Sequence, residues 1–220
     1  MTLAIDASAL SLNDVHRMLN LQRRIERFID RPLSLEPLTE SEQQTLEKLR
    51  TSFEVYFDEG KILEGQIQYL FLSPLMWLAG FHTPRIKTSL EVGIASIEVE
   101  DEDTLIKGRM DILAAKRMQN QQEVNVFWVL IVEAKNSSLE PSEGLPQLLT
   151  YAYTGLEQQQ SVWGLTTNGL NYQFVRIEQG DPPTYTVFPP LNMLYLDQAE
   201  QLLQVMKAIC NETRSLPIEP

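Results

Sequence analysis

Seven apolar residues in succession, Val126 to Val132, lead without interruption into Glu133-Ala-Lys135. A run this short does not cross a bilayer, which takes about 20 apolar residues. Bounded by polar residues and rich in β-branched and aromatic side chains, it predicts a strand over Val124 to Ala134 that is covered on both faces, the centre of a sheet. A sheet covered on both faces needs helices on each side, so the chain is expected to be α/β. The two charged groups that end the run are then carried to the end of the most protected strand.

The flanking pattern supplies the helices. Ser11 with Asp14 forms a capping box, and Leu12, Val15, Leu19, Ile25, Phe28 and Ile29 follow at helical spacing, so the first sixty residues read as helical. Pro32 and Pro37 make a connector. Thr39 with Glu42 caps a second helix that buries Leu46, Leu49 and Phe53 and ends at Gly60. A third helix is predicted from Lys61 to about Ala79, kinked or split by Pro74 because the ring removes a donor and clashes with the preceding turn. The period then shortens. Strands are expected over Ile86 to Glu98 and Ile106 to Ala115, with the five carboxylates of Glu98 to Asp103 at a solvated hairpin tip. Pro141 and Ser142 open a helix carrying Leu145, Leu148, Leu149, Ala152 and Leu156. Ser161 to Thr167 and Leu170 to Ile177 form a hairpin around Asn168-Gly169. A strand over Thr184 to Phe188 and a last helix capped by Asp197 and Glu200 complete the order. This divides the chain into an N-terminal helical extension (1–59), an α/β core (60–190) and a C-terminal helix and tail (191–220). Apolar residues make up 43% of the 220, ample for such a core.

Polar residues placed where this architecture wants apolar ones are the candidate site. Asp111 lies within the second strand, in Gly108-Arg-Met-Asp-Ile-Leu113. Glu133 and Lys135, two residues apart on a strand, share one face. The polar loop around Gln119 to Glu123 makes the second and third strands antiparallel neighbours, which puts Asp111 beside Glu133. Glu64 lies on the third helix. Gln147 and Tyr151 share one face of the helix after the central strand. Two adjacent buried carboxylates need cationic compensation. Lys135 offsets one charge, and a hard divalent cation bound through oxygen offsets the rest. Mg²⁺ fits, because it takes one or two carboxylates, a backbone carbonyl (Ala134 is placed for it), waters and substrate phosphate.

Asp…Glu-x-Lys on adjacent strands, preceded by a helix bearing Glu, resembles the PD-(D/E)xK nuclease superfamily. Gln147-Leu-Leu-Thr-Tyr151 resembles the QxxxY motif of its RecB-like branch. More closely, Glu64 to Ile177, about half the chain, is similar to the N-terminal nuclease domain of type I restriction enzyme R subunits. The matching pieces are Glu64, Pro74-Leu75, Gly80-Phe81, Gly108-Arg-Met-Asp111, Val132-Glu-Ala-Lys135, Gln147-x-x-x-Tyr151 and Leu165-Thr-Thr-Asn-Gly169. The resemblance implies a restriction endonuclease-like αβββαβ core with a central mixed sheet. It implies a Mg²⁺-dependent nuclease, with Mn²⁺ as a substitute, that hydrolyses phosphodiester bonds of DNA in a restriction or DNA-processing role. Asp111 and Glu133 would be metal ligands, Lys135 the catalytic lysine, Glu64 an accessory acid, and Gln147 and Tyr151 an auxiliary pair. Met110 stands where the family motif often has proline. No Gly-x-x-x-x-Gly-Lys-Ser/Thr occurs in these residues, so the ATP-driven motor of those R subunits is expected to be absent or to lie in another chain. A catalytically weak or inactive binding or regulatory module on the same fold is the alternative, and a structural subunit acting through the helical extensions is a third reading.

The net charge of −12 sets a limit on any DNA partner. Unspecific affinity for nucleic acid comes mostly from Lys and Arg on phosphates, and no third of this chain is basic. Positive charge clusters only in Arg17 to Arg31 and in Lys107, Arg109, Lys116 and Arg117. A narrow basic rim, weak intrinsic DNA affinity and help from a partner subunit or a homodimer are expected. One Cys and two His cannot furnish a tetrahedral zinc site of nitrogen and sulfur ligands. Cys210 reads as a buried thiol, Trp77, Trp128 and Trp163 as core, and His16 and His82 as surface or core residues. With no basic, apolar leader and no membrane span in view, a cytoplasmic protein is expected.

Overall fold

The computed structural model describes residues 3–25, 33–94, 96–99, 103–116 and 127–212. The Gln119–Glu123 loop, the three residues that open the expected central strand, the apolar positions Phe28 and Ile29, the cations Arg27, Arg31 and Arg117, and the C-terminal tail lie outside those residues.

From the N-terminus come β1 (Leu3–Asp6), α1 (Leu12–Leu19) and β2 (Gln22–Arg24), then α2 (Glu40–Glu59), α3 (Glu64–Gln66) and α4 (Ser73–Ala79). Five strands follow: β3 (Ile86–Gly93), β4 (Ile97–Val99), β5 (Thr104–Lys107), β6 (Arg109–Lys116) and β7 (Phe127–Ala134). After α5 (Leu145–Gly155) come β8 (Ser161–Thr167), β9 (Asn171–Glu178), β10 (Thr184–Val187), β11 (Leu191–Asn192) and α6 (Leu196–Glu212).

β7 sits inside a mixed sheet ordered β2-β10-β9-β8-β7-β6-β3, with β11 attached to β9. β3, β6 and β7 form an antiparallel meander. α5 then carries the chain to β8, which lies parallel to β7. This is the mixed α/β arrangement that the buried run requires. One face of the sheet packs against α2, α4 and α6 through Phe53, Phe71, Leu75, Leu130, Val132 and Leu202. The other packs against α1 and α5 through Val15, Leu113, Ile131, Leu148 and Leu149. A second, three-stranded sheet, β1-β5-β4, stands beside the first.

The helix signals hold where local chemistry fixes them. Both capping boxes form, Ser11 with Asp14 and Thr39 with Glu42. Pro74 falls at the start of α4, and the six residues before it, Ile67–Leu72, wind as π-helix. The wider turn passes the proline's missing N–H without breaking the helical path. The Asn168-Gly169 hairpin joins β8 and β9, with Gly169 at φ 84.

Four expectations need correction. The first sixty residues are not all helical: α1 ends at Asn20 in the left-handed region, and Gln22–Arg24 then pairs parallel with β10. The N-terminal Leu3–Asp6 likewise pairs with β5. Backbone pairing with exposed strand edges overrides the helical spacing there. The expected strand over Ile106 to Ala115 divides at Gly108 into β5 and β6, which belong to different sheets. A Cβ at Gly108 would lie 2.7 Å from the Tyr151 ring, so only glycine lets the chain cross over that ring. Ile86 to Glu98 divides in the same way into β3 and β4. Trp77 is not a core residue, being 65% exposed on α4. The hairpin expected around the acidic run is present in its flanks, because β4 and β5 pair antiparallel with Val99 opposite Thr104.

Candidate active site

The site forms at the C-terminal end of β7. Its register with β6 pairs Ile112 with Val132, and one further step along the two strands sets Asp111 opposite Glu133. The ladder does not continue through that step by backbone alone. Asp111 Oδ2 accepts the Ala134 N–H at 2.7 Å. On the other side of β7, the Lys135 N–H donates to the Thr167 carbonyl at 2.7 Å, one residue beyond the strand. Both strand neighbours therefore hold the Glu133-Ala-Lys135 backbone.

Glu133 points to the α5 side of the sheet and is 1% exposed. Lys135 Nζ donates to Glu133 Oε1 at 2.7 Å and to Gln147 Oε1 at 3.2 Å. Gln147 Nε2 donates to the Tyr151 hydroxyl at 2.8 Å, and that hydroxyl also accepts the Arg109 N–H at 3.2 Å. A continuous chain of hydrogen bonds thus runs from Glu133 through Lys135, Gln147 and Tyr151 to the first residue of β6, two positions before Asp111. Gly144, just before α5, closes the floor: a Cβ there would sit 2.9 Å from Glu133 Cγ.

Glu64 opens α3 and is half-buried. It is positioned by the segment that follows β7, because the Ile62 N–H donates to Ser137 Oγ at 2.8 Å and the Ser137 N–H donates to the Ile62 carbonyl at 3.1 Å. Its charge acts on Asp111, Glu133 and Lys135 alike.

The electrostatics follow from that crowding. Burial, with the Asp111 charge second, pushes the Glu133 carboxyl up to about 8 against the pull of Lys135. Burial also raises Asp111 to about 6, with Glu64 adding to the shift and the Ala134 N–H opposing it. Burial works against the Lys135 ammonium, but the Glu133 hydrogen bond and the carboxylates of Glu133, Asp111 and Glu64 outweigh it and hold the pKa above its ordinary value. Burial pushes the Tyr151 phenol up to about 12, so its hydroxyl stays protonated. Glu133 Oε2 is buried and has no hydrogen-bond partner. An orphaned carboxylate oxygen of this kind is costly unless a proton or a cation takes it.

The structure therefore brings Asp111, Glu133, Lys135, Gln147 and Tyr151 into one connected network, with Glu64 facing it. Among the described residues, no group of three or more His, Cys, Asp or Glu side chains is gathered closely enough to hold a metal ion by itself. The roles of three contributors escape the sequence reading. Gly108 and Gly144 matter through close approach, which a sequence marks only as glycine. Ser137 matters through its bond to Ile62, which has no local signature. No protein-family model matches this chain, and no match is found among the curated proteins.

Proposed function

We propose that this protein is a metal-dependent nuclease that hydrolyses phosphodiester bonds of DNA, built on a restriction endonuclease-like core. The observation that carries the reading is the orphaned Oε2 of Glu133, buried beside Asp111 at the end of the central strand. The donor set fits Mg²⁺, with Mn²⁺ as substitute: Asp111 and Glu133 would hold it, with the backbone carbonyl of Ala134, the residue after Glu133, as a further oxygen. When bound, the cation would polarise a phosphoryl oxygen and lower the pKa of a coordinated water.

The chain's own groups do the rest. Lys135, kept charged by its three carboxylate neighbours, supplies positive charge to the phosphoryl oxygens as negative charge builds in the transition state. Gln147 fixes the ammonium's direction, and Tyr151 fixes Gln147 while holding the start of β6 in register with Asp111. Glu64, whose charge acts on Asp111, Glu133 and Lys135, would serve as the accessory acid. The net charge of −12 gives little general affinity for phosphates, so capture of duplex DNA falls to a partner subunit or a second copy.

One observation favours a second reading, a binding or regulatory module with no cleavage activity. Lys135 already compensates Glu133 at 2.7 Å, so the pair is self-sufficient without a metal. Calorimetric titration with Mg²⁺ followed by incubation with linear, circular and single-stranded DNA decides between them. Binding at millimolar or better affinity that Asp111→Asn abolishes, with cleavage that Lys135→Ala abolishes, supports the nuclease. Neither binding nor cleavage of any DNA form overturns it.

A further inference from the structure

A cavity of about 510 Å³ opens beside the candidate site, between the π-helical turn, the end of α4 and the edge strand β3. Gly65, Gln68, Tyr69, His82, Leu90 and Ile112 line it. It continues along the helix as a shallow groove over Tyr69, Ser73 and Trp77, with His82 shared between the two. Tyr69 and Trp77 are 78% and 65% exposed. Both rings line this one groove, and among the described residues they remain open to solvent.

Three features identify what fits there. Flat exposed aromatic rings in series make a stacking surface, and nucleobases are the ligands that stack on such rings whatever their sequence. The lining holds no acidic residue, although the chain carries 30 Asp and Glu, and exposed Arg85 and Lys87 lie next in the chain to its β3 side. One lining residue, Gly65, directly follows Glu64, whose charge acts on Asp111 and Glu133, so the cavity meets the site at the turn that carries Glu64, while Ile112 lines it from the face of β6 opposite to Asp111. Gln68, Ser73, Thr83 and Thr88 add hydrogen-bonding groups for the edges of bases.

We propose that this groove takes unpaired bases of a single DNA strand, stacked on Tyr69 and Trp77, while the strand's backbone passes the carboxylate site. The assignment rests on the nuclease reading and narrows its substrate to DNA with a single-stranded stretch. A fully paired duplex keeps its bases stacked on one another and has none to offer the groove.

Wild-type protein in EDTA, Tyr69→Ala and Trp77→Ala are each titrated with a labelled short oligothymidylate and with a blunt duplex, followed by fluorescence anisotropy. Both substitutions remove exposed side chains, and circular dichroism confirms that the variants fold. The expected result is preference for the single strand, with each substitution weakening it by about 5- to 100-fold and leaving duplex binding unchanged. Equal affinity for the two forms, or single-strand binding that neither substitution alters, overturns the proposal. So does a dimer in sedimentation that Tyr69→Ala dissociates, because a second copy then covers the groove. Cleavage in Mg²⁺ that proceeds equally in Tyr69→Ala removes this groove from the mechanism and leaves the nuclease standing. Stacking-dependent binding by a protein that cuts nothing supports the groove and removes the nuclease.

Discussion

Asp111 accepts the Ala134 N–H at 2.7 Å, so one carboxylate both faces the candidate metal position and ends the β6–β7 ladder. The two roles separate by substitution. Asp111→Ala leaves a part-buried N–H unpaired, which costs about 1–3 kcal/mol, or several degrees in Tm for a chain of this size. Asp111→Asn keeps an oxygen that accepts the same bond. We expect Asn to melt near the wild type and Ala well below it, with both losing Mg²⁺ binding in calorimetry. Equal melting of the two variants would show that the hydrogen bond contributes nothing.

Glu133 and Lys135 form the most buried ion pair among the described residues, with side chains 1% and 19% exposed. Removing one partner strands the other. Above about pH 8, where Glu133 is ionised, Lys135→Met should destabilise by about 3–5 kcal/mol, because it leaves a buried carboxylate beside Asp111. Glu133→Gln with Lys135→Met together should recover most of that loss. Chemical denaturation of the two single variants and the double variant measures the coupling. An additive double variant would place the pair in solvent rather than in the core.

The pH dependence of the metal-free protein follows from the direction of the shifts. Glu133 titrates near 4.5 when exposed and at about 8 in the fold, and Asp111 moves from 3.8 to about 6. Between those values the folded state binds more protons than the unfolded state, so stability falls as pH rises through the window. The raised Lys135 keeps its contribution until above its ordinary 10.5 and does not oppose the fall. Asp14, Glu42 and Glu47 are held low by their hydrogen bonds and partners, so their gains oppose the fall only at the acid end of the window and are complete by about pH 6. Thermal melts in EDTA should therefore drop between about pH 6 and 8. Glu133→Gln should flatten most of the drop. Added Mg²⁺ should raise Tm more at the alkaline end, where no proton competes for the carboxylates. A metal-free Tm that rises across this range contradicts the burial of Glu133.

The parts of this arrangement that the sequence discloses are those governed by local chemistry. Seven apolar residues before Glu133 mark the central strand because burial on both faces removes the alternation. Glu133 and Lys135 share a face because the strand period is two, and Gln147 meets Tyr151 because a helix turn is about four residues. The capping boxes are readable for the same reason. What the sequence hides is set by distant partners. Gln22–Arg24 is a strand only because β10 offers a free edge, and nothing in those residues announces it. The break at Gly108 depends on a ring 43 positions away in the chain, at Tyr151. Trp77 has apolar neighbours in sequence, yet its helix turns it outward.

The last test concerns Tyr151, which touches neither proposed ligand yet holds two parts of the site together. Its buried hydroxyl accepts from the Arg109 N–H and from Gln147 Nε2. Tyr151→Phe keeps the ring packed and deletes only that acceptor, so about 1 kcal/mol of stability should be lost. The larger effect should fall on turnover, because Gln147 no longer has a fixed partner and Lys135 loses its orientation. We expect kcat to drop about tenfold, equivalent to about 1.4 kcal/mol in the barrier, with KM little changed because substrate contacts are untouched. Gln147→Leu should lower kcat by a similar factor. The double variant should be no worse than either single one, since both break the same link. Kinetics of the three variants on one DNA substrate make the comparison. Multiplicative losses would mean that Tyr151 and Gln147 act independently, and that the hydrogen-bond chain from β6 to Lys135 has no role in positioning the lysine.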